Sequence, residues 1–211
     1  MPRRVRLHIP ILRRALPPHF CASVAWRPLS DEEWALARPF VLALAGRGRP
    51  LADARARLDA CLHGACLRGA WHMLPAAFGR ADTISRQFRR WGEAGLWEAL
   101  LHAVALQGRD RGFRGLAYFV CRAFRRCHRV LGLRGLRLAR ALGMDSALRA
   151  PRAWLPDPDL SETVHREQIL PGMARLRAWP WRVQVAMVGH WKRLTARCMG
   201  RRRIRPRMAP A

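Results

Sequence analysis

The sequence predicts an all-α protein, on three observations. Apolar residues recur at spacings of three and four along several segments, which puts them on one side of a helix. Capping residues and glycines bracket those segments. No stretch shows the strict alternation of a half-buried strand. At 211 residues, half of them hydrophobic, the chain can bury one ordinary core or two small ones. Its formal charge is +26 and its pI near 11.9. Such a charge calls for a polyanionic partner; nucleic acid comes first and an acidic membrane surface second. All but one of the 40 basic residues are arginine, Lys192 being the exception. A GC-rich coding sequence gives the same bias, so arginine over lysine says little by itself.

Residues 1–28 read as a basic, Pro-rich arm without fixed structure. Pro10, Pro17, Pro18 and Pro28 forbid one long helix, and Arg3, Arg4, Arg6, Arg13 and Arg14 would add phosphate contacts. A mis-assigned start codon explains the same stretch equally well. The first helix is expected from Ser30, where Ser30 and Glu33 make a capping box. Trp34, Ala37 and Val41 form its core side, and Pro39 is expected to kink or end it near Arg38. Gly46 to Pro50 reads as an exposed loop. Within it, Arg47-Gly48-Arg49-Pro50 has the form of an AT-hook core, whose two arginines lie in a narrow minor groove. A plain turn before a helix accounts for the tetrapeptide as well. A second helix is expected from about Leu51 to Cys66. Leu51, Leu58, Cys61, Leu62 and Ala65 form its buried stripe, and Arg55, Arg57 and Asp59 its wet face.

The stretch from Trp71 to Trp97 organises the rest. It reads as a short helix, a glycine turn, a second helix capped by Asp82, and the start of a third. Ile84, Phe88 and Trp91 recur at i, i+4 and i+7 and make an apolar stripe. Thr83, Arg86, Gln87 and Arg90 recur on the opposite side, with Arg89 beside them. Gly92 and Gly95 end the helix. A capped helix with a long basic face beside a short helix is how a helix-turn-helix presents its recognition helix; a solvated surface helix has the same periodicity. Leu96, Trp97, Leu100, Leu101 and Val104 then give a closing helix, so the domain holds three to five helices.

The run from Leu29 to Val104 resembles the N-terminal domain of bacterial insertion-sequence transposases of the DDE class. The resemblance rests on Leu29-Ser30-Asp31-Glu32-Glu33-Trp34, Gly46-Arg47-Gly48-Arg49-Pro50, Trp71 with Leu74-Pro75, and Phe78-Gly79. It continues through Thr83-Ile84-Ser85-Arg86-Gln87-Phe88-Arg89-Arg90-Trp91 and Ala94-Gly95-Leu96-Trp97, in matching order and spacing. The chain departs from the pattern at Arg68-Gly69-Ala70-Trp71-His72, where the family usually has Gly-Cys/Ala-Pro-Trp-Arg. The resemblance implies a helix-turn-helix fold and double-stranded DNA as partner.

Gly108, Gly112 and Gly115 mark the expected boundary, giving a domain at 29–106 and a basic α-helical region at 107–211 with an arginine-rich tail. In that region Leu116 to about Leu131 forms an amphipathic helix. Phe119, Val120, Ala123, Phe124, Cys127 and Leu131 are apolar, against Arg122, Arg125, Arg126 and Arg129. This helix is expected to pack its apolar side on the first domain and offer its arginines to phosphate; lying on an acidic membrane is the alternative. Pro151 to Pro158 reads as a loop, with a short helix following Ser161 and Glu162. Trp179, Trp181, Val185, Val188 and Trp191 line a last helix.

Catalytic chemistry is not expected. A DDE transposase holds two metal ions on three acidic residues spread over a sheet. Of the 14 acids here, the late ones (Asp145, Asp157, Asp159, Glu162 and Glu167) span only about twenty residues. The family's Tyr-Arg-Glu-Lys signature is missing too, since Tyr118 and Lys192 are the only residues of their kinds. Asp157 and Asp159 around Pro158 read as turn residues. Cys61, His63, Cys66, Cys121, Cys127 and His128 have spacings that fall inside helices rather than on the turns zinc favours, so no metal and no cofactor is assigned. Cysteines without a C-x-x-C pair, and no segment like a leader or a membrane span, place the chain in the cytoplasm at the nucleoid.

The function expected is a DNA-binding protein of an insertion element that recognises terminal inverted repeats without its own catalytic core. Contacts are expected from Arg47, Arg49, Thr83, Arg86, Gln87, Arg89 and Arg90. The protein partners would be a separately encoded catalytic transposase chain or a second copy. A repurposed DNA-binding regulator, or an inactive transposase remnant, is the alternative. A basic membrane-surface or RNA-associated protein is the third reading.

Overall fold

The computed structural model describes residues 21–44, 53–67, 69–107 and 111–200. Among these residues the secondary structure is helical and no strand forms, so the chain is all-α. It divides into two compact units, which meet in sequence between Leu148 and Arg149.

In the first unit, α1 (Asp31–Leu42) opens with the expected capping box. The Glu33 backbone N–H donates to Ser30 Oγ at 3.2 Å, and the Ser30 N–H donates to Glu33 Oε2 at 2.9 Å. Glu33 is buried and accepts both Nη groups of Arg27, at 2.6 and 2.7 Å. Pro39 does not end the helix, which runs through it to Leu42. Both Pro39 and Ala35, whose carbonyl the missing N–H would have met, are exposed, so water can satisfy that carbonyl.

Helix α2 (Ala54–Cys66) is capped by Asp53, which accepts the Ala56 N–H at 2.8 Å. Leu58, Cys61, Leu62 and Ala65 are buried as the stripe predicts. Asp59, expected on the wet side, is buried. It accepts the Leu29 backbone N–H at 3.0 Å, a donor just ahead of α1 that has no helical partner. Arg55 likewise turns inward in part, donating to the Leu29 carbonyl at 2.7 Å and to Asp31 at 2.5 Å.

Two 3-10 turns, Trp71–Met73 and Ala76–Phe78, replace the short helix expected before α3 (Ala81–Ala94). Leu74-Pro75 separates them, and a proline biases the residue before it away from the helical region. Gly95 closes α3 in the left-handed conformation, at φ 95°. Helix α4 (Leu96–Gln107) follows and is apolar nearly all round, with Trp97, Leu100 and Leu101 fully buried; such a helix belongs at the centre of a core.

Helix α5 (Arg111–Arg126) lies against α4, α2 and α1. The expected boundary at 107 therefore does not separate it from the domain before it. Phe113, Leu116, Phe119, Val120 and Phe124 are buried, and α5 also meets the 3-10 turn Asp145–Ala147. Helix α6 (His128–Ala141), broken at Gly132, contacts α3, α4 and α5. Residues 21–28 are not a detached arm. Trp26 stacks on His63 of α2 at 4.7 Å and meets the edge of Phe119 at 5.4 Å. The Cys21 N–H donates to Ser146 Oγ at 2.8 Å.

The second unit contains α7 (Pro158–Val164), a π turn (His165–Ile169), α8 (Leu170–Arg175) and α9 (Trp181–Cys198). Asp157 caps α7, accepting the Leu160 N–H at 3.1 Å. Gly172 lies under the Trp191 ring, so closely that a Cβ would stand 2.2 Å from it. Helix α9 buries Trp191 and Cys198. Trp181, Val185 and Val188, which line this helix in the sequence with Trp191, are exposed.

Candidate nucleic-acid interface

The candidate interface begins with what fixes α3. Ile84, Phe88, Trp91 and Gly92 are its buried residues. Phe88 packs on Trp71 at 5.1 Å and on Trp97 at 4.8 Å, and Trp91 meets Trp97 edge-on at 6.1 Å. The Trp97 indole N–H donates to the Phe88 carbonyl at 3.1 Å, which ties α4 to the middle of α3. Gly92 has no room for a side chain, since a Cβ would stand 2.3 Å from Cys127 Sγ. At the end of the helix Arg134 Nη2 donates to the Gly92 carbonyl at 3.3 Å, and its Nε lies 3.1 Å from Glu98. The helix is thus anchored along its apolar stripe.

The other side faces water. Thr83, Arg86, Arg89 and Arg90 are exposed, while Gln87 sits half-buried at the margin. Arg86 occupies the middle, with Asp82 a turn before it and Arg90 a turn after. Asp82 is not the cap, because it stands inside the first turn, and Arg80 precedes the helix with no side-chain cap bond. The Asp82 carboxylate instead accepts a hydrogen bond from Arg86 Nη2. That bond outweighs an opposing desolvation and, with the charges of Arg86, Arg80 and Arg89, holds its carboxyl below the usual aspartate range. The same bond and charge raise the Arg86 guanidinium above its ordinary value. Arg80 is exposed at the start of the helix and belongs to this basic group; reading Asp82 as the cap hid it. Arg47 and Arg49 lie outside the described residues.

The arginines of α5 behave differently. Arg126 donates to the Leu67 carbonyl at 3.1 Å and the Gly69 carbonyl at 3.0 Å, and its guanidinium lies 4.4 Å over the Trp71 ring. Arg125 Nη2 donates to the Ser146 carbonyl at 2.5 Å. Burial pushes both guanidinium groups below their ordinary value. Arg122 reaches the Cys66 carbonyl at 3.5 Å. Arg122 and Arg126 serve the open carbonyl end of α2 and the loop after it, and Arg125 serves the turn at Asp145–Ala147, so these three are not the phosphate-facing row the sequence suggested.

Among the described residues no group of three or more His, Cys, Asp or Glu side chains is placed to hold a metal ion. Cys61 and Cys121 are buried, and burial raises the Cys61 thiol. For Cys121, a hydrogen bond with Cys21 and then burial raise it. Among the described residues no helix is long and apolar enough to cross a membrane.

Residues 29–101, about a third of the chain, match the family described as "Putative transposase of IS4/5 family (DUF4096)". That segment is similar to the N-terminal domain of insertion-element transposases. No curated protein and no solved structure matches the chain.

Proposed function

We propose that this chain is a DNA-binding protein of an insertion element, which recognises the element's terminal inverted repeats through α3. The observation that carries the reading is the one-sided anchoring of α3, with Thr83, Arg86, Arg89 and Arg90 on its open side. In the major groove, Arg86 would pair with guanine O6 and N7, and Gln87 would reach adenine from the margin of the helix. Arg89, Arg90 and Arg80 would hold phosphates and set the register. Arg47 and Arg49 would follow the adjacent minor groove. Strand-transfer chemistry lies outside these 211 residues and would come from a separate catalytic chain, with the complex working at the nucleoid.

An anisotropy titration against duplex carrying the inverted repeats that flank the gene, and against scrambled duplex, tests this. Binding should weaken roughly 10³–10⁵-fold between 50 and 200 mM salt if six to ten phosphates are contacted. Arg86→Ala should cost about 1–3 kcal/mol on the repeat and much less on scrambled duplex. No affinity for either duplex at low salt would end the reading.

A further inference from the structure

The Asp82–Arg86 pair raises a question that the DNA-binding reading leaves open. Asp82 is an acid on a surface otherwise suited to a polyanion. It stands one helical turn before Arg86 at the middle of the open side of α3, and Arg80 and Arg89 lie close enough for their charges to act on it. Its side chain is half-exposed, and so is that of Arg86. An exposed i,i+4 ion pair adds little to stability, because water solvates both ions well and the long side chain loses freedom. Helix capping does not explain Asp82 either, since it lies inside the first turn. What the pair does is geometric. A guanidinium that donates one N–H to a carboxylate is confined to fewer orientations and keeps its other N–H donors for a ligand. A free arginine on an exposed helix has many rotamers and pays their entropy on binding.

The carboxylate has a second effect. Wherever docking brings it near a phosphate, like charges repel, and the neighbouring arginines offset only part of that. Where docking puts Arg86 on a guanine edge, Asp82 stays paired and can also accept from the N4 amino group of a cytosine.

We propose that Asp82 is a specificity-determining positioning residue: it orients Arg86 for a guanine edge and penalises registers in which this surface meets only phosphate. The proposal rests on the reading of α3 as the DNA-contacting helix.

The experiment uses the full chain and two duplexes. One is the duplex that the protein enriches from a randomised pool; the other is a scrambled version of it. Asp82→Asn, Asp82→Glu, Arg86→Ala and Asp82→Asn/Arg86→Ala are compared with the parent protein, with circular dichroism as the folding control. Asp82→Asn should tighten scrambled duplex about 2–5-fold, the size of one exposed charge interaction, and should weaken or leave unchanged the enriched duplex. Its ratio of affinities therefore falls. Asp82→Glu should restore part of the ratio. In the Arg86→Ala background, Asp82→Asn should move both duplexes by the same factor, because the residue to be positioned is gone. The proposal is overturned if Asp82→Asn shifts both duplexes equally in the parent background, or if it lowers the ratio equally with and without Arg86. Failure of the pool to enrich any duplex removes base reading by α3 and this proposal with it. Enrichment with equal shifts removes the proposal alone.

Discussion

At the scale of single residues, two buried groups set the stability of the first unit. Trp97 is fully buried, touches Phe88 and Trp91, and spends its only polar atom on the Phe88 carbonyl. Trp97→Ala should cost about 3–5 kcal/mol, as large aromatic deletions do, and leave the Phe88 carbonyl without its donor. Chemical denaturation measures it, and a loss below about 1 kcal/mol would place the ring outside the core. Glu33 is the second. Burial pushes its carboxyl up, but the Arg27 hydrogen bond and the Ser30 N–H outweigh burial and hold it below the usual glutamate range. A carboxyl lowered in the folded state stabilises above its unfolded value, and that contribution is lost as pH falls through the lowered folded value. The stability gap between the parent protein and Glu33→Gln should therefore be widest near neutral pH and shrink as pH falls through the lowered folded value. Denaturant midpoints over that range decide; a constant gap would mean Glu33 acts by shape alone.

At the scale of elements, the stripes were legible and their surroundings were not. Ile84, Phe88 and Trp91 announce the buried side of α3 because an apolar residue every three or four positions has nowhere else to go. Ser30 and Glu33 announce the start of α1, since a capping box is a local device. Periodicity does not say what a polar side faces. The arginines of α5 sit where a solvated row would sit, yet Arg125 and Arg126 serve carbonyls left open by other segments. Asp59 was misplaced for the same reason, its partner lying 30 positions away at Leu29. The exposed side of α3 was legible in position; the pairing of Arg86 with Asp82 was not, because an acid at the start of a helix reads as a cap while this one stands inside the first turn. This difference separates two arginines that look alike in sequence. Arg126→Ala should lose about 1–3 kcal/mol of stability, because the Leu67 and Gly69 carbonyls are then left open, and should spare intrinsic DNA affinity. Arg90→Ala should do the reverse, lowering the slope of log affinity against log salt by about 1 with little change in melting. Thermal melts and salt titrations on both variants test the contrast. Equal effects of the two on DNA would put α5 back at the interface.

At the scale of the molecule, the first unit closes only with α5. That helix packs on α1, α2 and α4 together, and it lies beyond the segment that matches the transposase family. A chain ending at residue 107 should show weak helicity and no cooperative melt, whereas a chain ending at residue 148 should melt cooperatively. Circular dichroism on the two lengths is the measurement; a cooperative transition in the shorter chain would show that α1 to α4 suffice.

The place of α5 in the chain also sets an order of events during synthesis. A ribosome extends the chain by about 5–20 residues per second, so the last turn of α5 follows the last turn of α4 by roughly one to four seconds. Through that interval the nascent protein carries α4, apolar nearly all round, without the helix that shelters it. The segment that arrives to cover it brings Arg122 and Arg126, whose carbonyl partners at Cys66, Leu67 and Gly69 have waited since the end of α2.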